Sequence, residues 1–296
     1  MRKEAERILT KADALGRFPT PVSDILSIAN VQVAMTEDID EGFLLWIRKK
    51  AVDTGSAIKR ALSKVIGLFD TKSRIIFIDN TLLVVKQTFV KLHETGHAFM
   101  PWQNQIYGFI EDCSKTLSPE ISELFDREAN IFASEVLFQL DSFSKEADDY
   151  DFDILVPVRL SNKYGASIYS SIRQYVSKNH RACVVLIFNP PEILEGEGFI
   201  ASLRRVVPSS SFIDTVGHLA WPEVVSPGNE IGAIFPIGRK MSGKREILIK
   251  DRDGRRHECI AEAFTNTHQV FILIHLVKTL TKTTIILPPS FAYTNP

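Results

Sequence analysis

Apolar residues recur at helical spacing at the start of the chain, through Ala5, Ile8, Leu9, Ala12 and Leu15, and the pattern stops near Gly16, which predicts a helix over residues 3–15. Pro19 and Pro21 break the chain, and a second helix is expected from Asp24 to Ala29 with Ser23 as its cap. The period then changes to two. Val31-Gln32-Val33-Ala34-Met35 alternates as an exposed strand does, and Gly42 to Trp46, Lys64 to Asp70 and Ile75 to Ile78 read as further strands, with a turn at Asp53-Thr54-Gly55. Helical spacing returns in the apolar run Thr88 to Phe99 and in a longer stretch from Ser118 to Leu140. Marking that stretch at about 100° per residue puts Ile121, Leu124, Phe125, Ile131 and Phe132 on one stripe, expected to face the core, with Glu128 in its middle.

The acidic run Asp148, Asp149, Asp151 and Asp153 reads as a solvated linker, because no glycine stands where a calcium loop needs its turn. Two short helical patterns follow, separated by Leu160 to Ser167; the second, Ile168 to Val176, carries Arg173, and Lys178 lies just beyond. Their shape is that of a helix-turn-helix or of a plain helical connector. From Arg181 the texture turns to strands: Cys183 to Phe188, then Arg245 to Lys250 and Arg256 to Ala263 around the hairpin signal Asp251-Arg252-Asp253-Gly254-Arg255, then His268 to Lys278 and Thr283 to Leu287. The fold class this predicts is α+β in three parts: a mixed domain over residues 1–147, a helical connector over 148–180, and an antiparallel β-rich domain over 181–296.

Composition narrows the function. Of 296 residues, 45% are hydrophobic and 24% charged, ordinary for a globular chain, and a net charge of −1 gives no global reason to bind nucleic acid. Cys113, Cys183 and Cys259 lie far apart, so neither a disulfide framework nor a cysteine zinc site is suggested. The N-terminus turns acidic at once, and the longest apolar runs are too short to span a bilayer, so a cytoplasmic protein without membrane contact is expected.

The chemistry is concentrated in His93-Glu94-Thr95-Gly96-His97. Two histidines four apart share one side of a helix, where they can grip one zinc ion, and Glu94 is placed to take the proton of a zinc-bound water. This pattern arises by chance in roughly one chain in a hundred of this composition, and the alternative is a helix whose histidines are merely packed or solvated. A third ligand is needed. Glu128, a carboxylate amid an apolar stripe, is the expected one; Glu135 lies about 10.5 Å further along and is the runner-up, the plainer reading of either being a structural ion pair. Arg74, Ile75, Ile76 and Phe77 are candidate substrate-binding residues if their strand edges the cleft, where an extended peptide could add as one more strand; a central strand is the alternative. Tyr107, in the loop after the zinc helix, is a candidate donor to an oxyanion. His218, His257, His268 and His275 are scattered among the later strands and are assigned no task.

Leu92-His93-Glu94-Thr95-Gly96-His97 followed by Arg127-Glu128-Ala129-Asn130-Ile131-Phe132-Ala133 resembles the ImmA/IrrE metallopeptidases, and the similarity reaches upstream through Gly67-Leu68-Phe69 and Ile75 to Asp79. It covers the first half of the chain well. It departs at the end of the second helix, where Val136-Leu137-Phe138-Gln139-Leu140-Asp141 replaces the Leu-Leu-Met-Pro-like stretch such proteins usually carry. The resemblance implies a zincin-like fold, Zn2+ as cofactor, a helix-turn-helix transcriptional repressor as protein substrate, and a sensor-like C-terminal domain similar to GAF modules, open to a small-molecule effector. The competing reading is a regulatory or DNA-binding protein in which the zinc is only structural.

Overall fold

The computed structural model describes residues 1–35, 67–70, 74–78, 81–106, 118–194, 196 and 198–277, which fall into two units, Met1–Asn179 and His180–Pro296. The strand expected over Gly42 to Trp46, the turn at Asp53-Thr54-Gly55, Tyr107, Cys113 and the strand expected over Thr283 to Leu287 lie outside the described residues. The segment 148–180, expected as a connector in its own right, belongs as far as Asn179 to the first unit.

In that first unit the opening helical period becomes α1 (Arg2–Lys11), whose Ala5, Ile8 and Leu9 are buried. α2 (Val22–Ile28) starts earlier than expected because Pro21, with φ at −74°, already sits at the N-cap; Ser23 lies inside the helix and its Oγ donates to Asp24 instead of capping. β1 (Gln32–Met35), β2 (Gly67–Asp70) and β3 (Ile75–Ile78) form a sheet in the order β1-β3-β2, with β3 parallel to β1 and antiparallel to β2. β3 is therefore the middle strand. This corrects the expectation that Arg74, Ile75, Ile76 and Phe77 offer a free edge to substrate, since both hydrogen-bonding sides of the strand are taken. Ile76 and Ile78 are fully buried. Arg74, at φ +56°, donates from Nε to Asn30 O at 2.8 Å and from Nη2 to Ala29 O at 2.6 Å and Ala98 O at 3.4 Å. It thus ties the end of α2 to the end of α3 (Val84–Phe99) by satisfying carbonyls that a helix C-terminus leaves open.

α4 (Pro119–Leu137) begins with Ser118 as its cap, the hydroxyl accepting from Ile121 N, and with proline in the first turn. Its buried line is Phe125, Ala129, Phe132, Ala133 and Val136, while Ile121, Leu124 and Ile131 are 42%, 45% and 40% exposed. The helix is thus turned from the orientation its apolar stripe predicts. The reason lies on α3, where a Cβ added at Gly96 would meet Phe132 Cδ1 at 3.0 Å and Ala129 Cα at 3.4 Å. The two helices approach through glycine on one and alanine on the other, and that contact fixes which side of α4 is buried.

α5 (Ser142–Asp148), α6 (Leu155–Tyr164) and α7 (Ile168–Ser177) complete the unit, with Phe138, Phe143 and Tyr164 packed ring against ring at centroid distances of 4.9, 5.2 and 6.2 Å. Just ahead of α6, Asp153 Oδ1 accepts from Leu155 N at 2.9 Å. α6 ends at Gly165 in the left-handed region, and Ser167 caps α7 by accepting from Ser170 N. The turn has helix-turn-helix form, yet every residue from Ile168 to Val176 is buried or half-buried. A helix that reads a DNA groove presents a line of exposed side chains, and α7 has none there.

The second unit is an antiparallel sheet of β4 (Cys183–Phe188), β5 (Glu192–Leu194), β6 (Gly198–Pro208), β8 (Arg245–Lys250), β9 (Arg256–Thr265) and β10 (Val270–Leu276), in the order β5-β6-β4-β10-β9-β8, with β7 (Val224–Val225) paired to β6. Its first and last strands, β4 and β10, are central, and every residue of β4 is buried. α8 (Ser210–Val216) lays Phe212 and Val216 on the face carrying Val184, Leu186, Phe188, Ile272 and Ile274. The β8–β9 hairpin closes as its sequence predicts: Gly254 takes φ +79°, and Asp251 Oδ1 accepts from the N–H groups of Asp253 and Arg255. Among the described residues, no helix is long and apolar enough to cross a membrane.

Candidate metal centre

α3 carries the histidines on a helix that is half inside the fold, with Leu92, Thr95, Gly96, His97 and Ala98 buried. It stops at Met100, which is extended at φ −72° and ψ 117° because a proline follows and excludes the α region for the residue before it. Helical geometry resumes over residues 101–106. The break folds the chain back so that Gln103, fully buried, lies against the ring of His97.

Each imidazole is anchored through Nδ1 to an amide oxygen. His97 Nδ1 is 2.6 Å from Gln103 Oε1, and His93 Nδ1 is 3.2 Å from Asn130 Oδ1 on α4. An amide oxygen accepts, so with the amides placed this way each ring donates from Nδ1 and its Nε2 carries the lone pair a metal would take. The two Nε2 atoms face each other at 3.1 Å. Two ligands at about 2.0–2.1 Å on one tetrahedral ion stand about 3.3 Å apart, so the separation suits a shared metal. Burial lowers the pKa of His93 to about 3, helped by the neighbouring His97, and burial also lowers that of His97 against the opposing effects of Gln103, Asp126 and Glu128. Both rings are neutral near pH 7, the form that binds metal.

Among the described residues, His93, His97 and Asp126 form a group that could hold a metal ion, with ligand atoms all within 4.8 Å of one another. Asp126 Oδ1 is 3.8 Å from His97 Nε2, and its side chain is 61% exposed. Glu128, the expected third ligand, is half-buried and stands outside that group, its Oε2 accepting from Trp102 Nε1 and Gln103 Nε2, both at 2.7 Å. Glu94 follows His93 on α3 and is half-buried. Glu135, the runner-up, is a structural ion pair: buried, it accepts from Lys178 Nζ at 3.0 Å and lies 3.5 Å from Arg2 Nη1. Asp126 and Asn130 are one turn apart on the side of α4 that meets the histidines. Their i, i+4 spacing was the available signal. Gln103 and Trp102 had no periodic signal, since they reach the site only through the chain reversal at Pro101.

Residues 56–170 match the family model of peptidase M78, described as the IrrE N-terminal-like domain. No curated protein matches the chain. A solved structure of a Mycobacterium tuberculosis transcriptional regulator is similar in fold, at a TM-score of 0.52 and 12% identity over 97% of this chain and 93% of that one. The stretch over which the chain is similar to the IrrE N-terminal-like domain of the peptidase M78 family includes both histidines, the α4 carboxylates Asp126 and Glu128, and Asn130.

Proposed function

We propose that the protein is a zinc-dependent endopeptidase. The observation that carries this reading is the pair of Nε2 atoms facing each other at 3.1 Å, close to the separation of two imidazole ligands on one tetrahedral ion. His93 and His97 would hold the ion together with a carboxylate of α4. Asp126 is the nearer one; Glu128 is the better prepared, since ligating carboxylates are themselves hydrogen-bonded and its Oε2 has two N–H donors. When bound, zinc supplies a Lewis acid for the scissile carbonyl and lowers the pKa of its water to about 7.

Glu94, adjacent to His93 and half-buried, accepts the proton of the attacking water and delivers it to the leaving amine. The substrate is a protein, and the resemblance to IrrE-like proteins points to a helix-turn-helix transcriptional repressor, in keeping with a structural neighbour named as a transcriptional regulator. Cutting such a repressor would release stress-response or mobile-element genes.

The test is Glu94→Gln in the full chain. The variant keeps the histidines, so zinc content measured by atomic emission should match that of the wild type, while cleavage of repressor proteins followed by mass spectrometry should fall by about 10²–10⁴-fold. Zinc bound with cleavage unchanged by the substitution would sink the assignment of Glu94, and a wild-type chain that binds zinc yet cleaves nothing would leave a regulator with a structural metal.

A further inference from the structure

We propose that Gln103 is the positioning residue of the candidate centre, fixing His97 with its proton on Nδ1 and its Nε2 open by taking Glu128 and the Phe125 carbonyl as its reference. This rests on the reading of the histidine pair as metal ligands. Gln103 is fully buried, and both ends of its amide are engaged. Nε2 donates to Glu128 Oε2 at 2.7 Å and to Phe125 O at 3.3 Å, while Oε1 accepts from His97 Nδ1 at 2.6 Å.

The orientation of that amide is forced. Glu128 Oε2 and Phe125 O are acceptors, so turning the amide over would set its oxygen against two other oxygens in a buried site, where an unmatched polar group costs about 1–3 kcal/mol. With the NH2 group committed to α4, the oxygen has to face His97. An oxygen there requires a proton on Nδ1, and a proton on Nδ1 leaves Nε2 free, facing the Nε2 of His93. A carboxylate on α4 thereby selects, through the Gln103 amide, the tautomer of a ring on α3. Trp102 donates to the same Glu128 oxygen and so helps hold it as Gln103's acceptor.

The experiment uses the full chain with 15N-labelled histidine, stripped of metal and observed by long-range 1H–15N correlation, with zinc affinity then measured by chelator competition. The wild type should show His97 as a single Nδ1–H tautomer. Gln103→Met, close to glutamine in length but without the amide, should give a mixture of tautomers and bind zinc about 10–100-fold more weakly. Gln103→Glu in its protonated form keeps a carbonyl oxygen for His97 while its O–H replaces the NH2 group as donor to Glu128 Oε2, and should restore the single tautomer, a rescue that a merely space-filling side chain would not show. A single Nδ1–H tautomer in Gln103→Met, or zinc affinity within about twofold of wild type, would overturn the proposal. Should Gln103→Met not fold, Gln103→Glu decides alone, and a tautomer mixture in the folded variant would overturn it. If the wild type binds no zinc while Gln103→Met still loses its tautomer, the metal reading fails and the positioning role stands.

Discussion

Nε2 of His93 and Nε2 of His97 stand 3.1 Å apart in a site whose burial disfavours charge on either ring. The unfolded rings titrate near 6.5, whereas His93 in the fold is lowered to about 3, so between those values the unfolded chain binds more protons than the folded one. Stability of the metal-free protein therefore rises with pH across this window: the contribution is fully present above about pH 6.5 and is lost as pH falls toward 3. Urea unfolding in chelator should show the wild type losing more stability between about pH 7.5 and pH 5 than His93→Gln, whose amide does not titrate. Parallel pH profiles for the two would refute the burial argument.

Gly96 of α3 stands against α4, and a methyl added there would meet Phe132 Cδ1 at 3.0 Å and Ala129 Cα at 3.4 Å. The Ala129 contact is an ordinary one, but the fully buried Phe132 ring would have to give by a few tenths of an ångström, so Gly96→Ala should destabilise the chain by about 1–3 kcal/mol. Pushing α4 away also separates Asp126 and Asn130 from the histidines they face, so zinc affinity should fall with stability. Adding Phe132→Leu should recover part of both. Urea unfolding checks the first effect and chelator competition the second; a Gly96→Ala protein as stable as wild type would show that the contact constrains nothing.

What the sequence disclosed follows from how local each feature is. His93, Glu94 and His97 are set by four residues of one helix, the Asp251–Gly254 turn by its own φ requirement, and the central strands by uninterrupted apolar runs, so periodicity reaches all of them. The middle position of β3 was not legible, because Ile75 to Ile78 looks the same whether one neighbour or two are paired to it. The face of α4 was misjudged for a similar reason: Ile121, Leu124 and Ile131 are as apolar as Phe125 and Phe132, and only the glycine on the facing helix decides between them. Gln103 could not be read at all. Its role depends on Pro101 ending α3 and on two acceptors contributed by α4, more than twenty residues later.

Gln139 tests the packing of the first unit away from the site. It is buried, its Nε2 donates to Ala14 O at 3.0 Å, Arg17 O at 2.7 Å and Thr20 Oγ1 at 3.2 Å, and its Oε1 accepts from Gly16 N at 2.7 Å. One side chain thus satisfies the turn between α1 and α2, which has no ladder of its own. Gln139→Leu would take this partner from Gly16 N and Arg17 O, while Ala14 O keeps Arg17 N and Thr20 Oγ1 keeps Leu137 O, and should cost about 2–4 kcal/mol in urea unfolding. Zinc affinity should hardly change, which separates this loss from that of Gly96→Ala. A Gln139→Leu chain within about 0.5 kcal/mol of wild type would show that water can replace the amide.

Asp126 and Glu128 present the sharpest choice in the centre, since one is near the histidines and the other is held in place. Asp126 Oδ1 lies 3.8 Å from His97 Nε2, but its side chain is 61% exposed. An exposed carboxylate loses side-chain freedom when it binds and gains little from a field screened by water. Glu128 has already lost that freedom, because Trp102 and Gln103 fix its Oε2 at 2.7 Å each. Preparation of this kind is worth about 10–100-fold in metal affinity. Glu128→Gln should therefore weaken zinc binding by at least that factor, with Asp126→Asn changing it by less than about threefold. Chelator competition on the two variants at equal ionic strength decides the matter. The reverse order would make Asp126 the ligand and leave Glu128 to act on His97 through Gln103 alone.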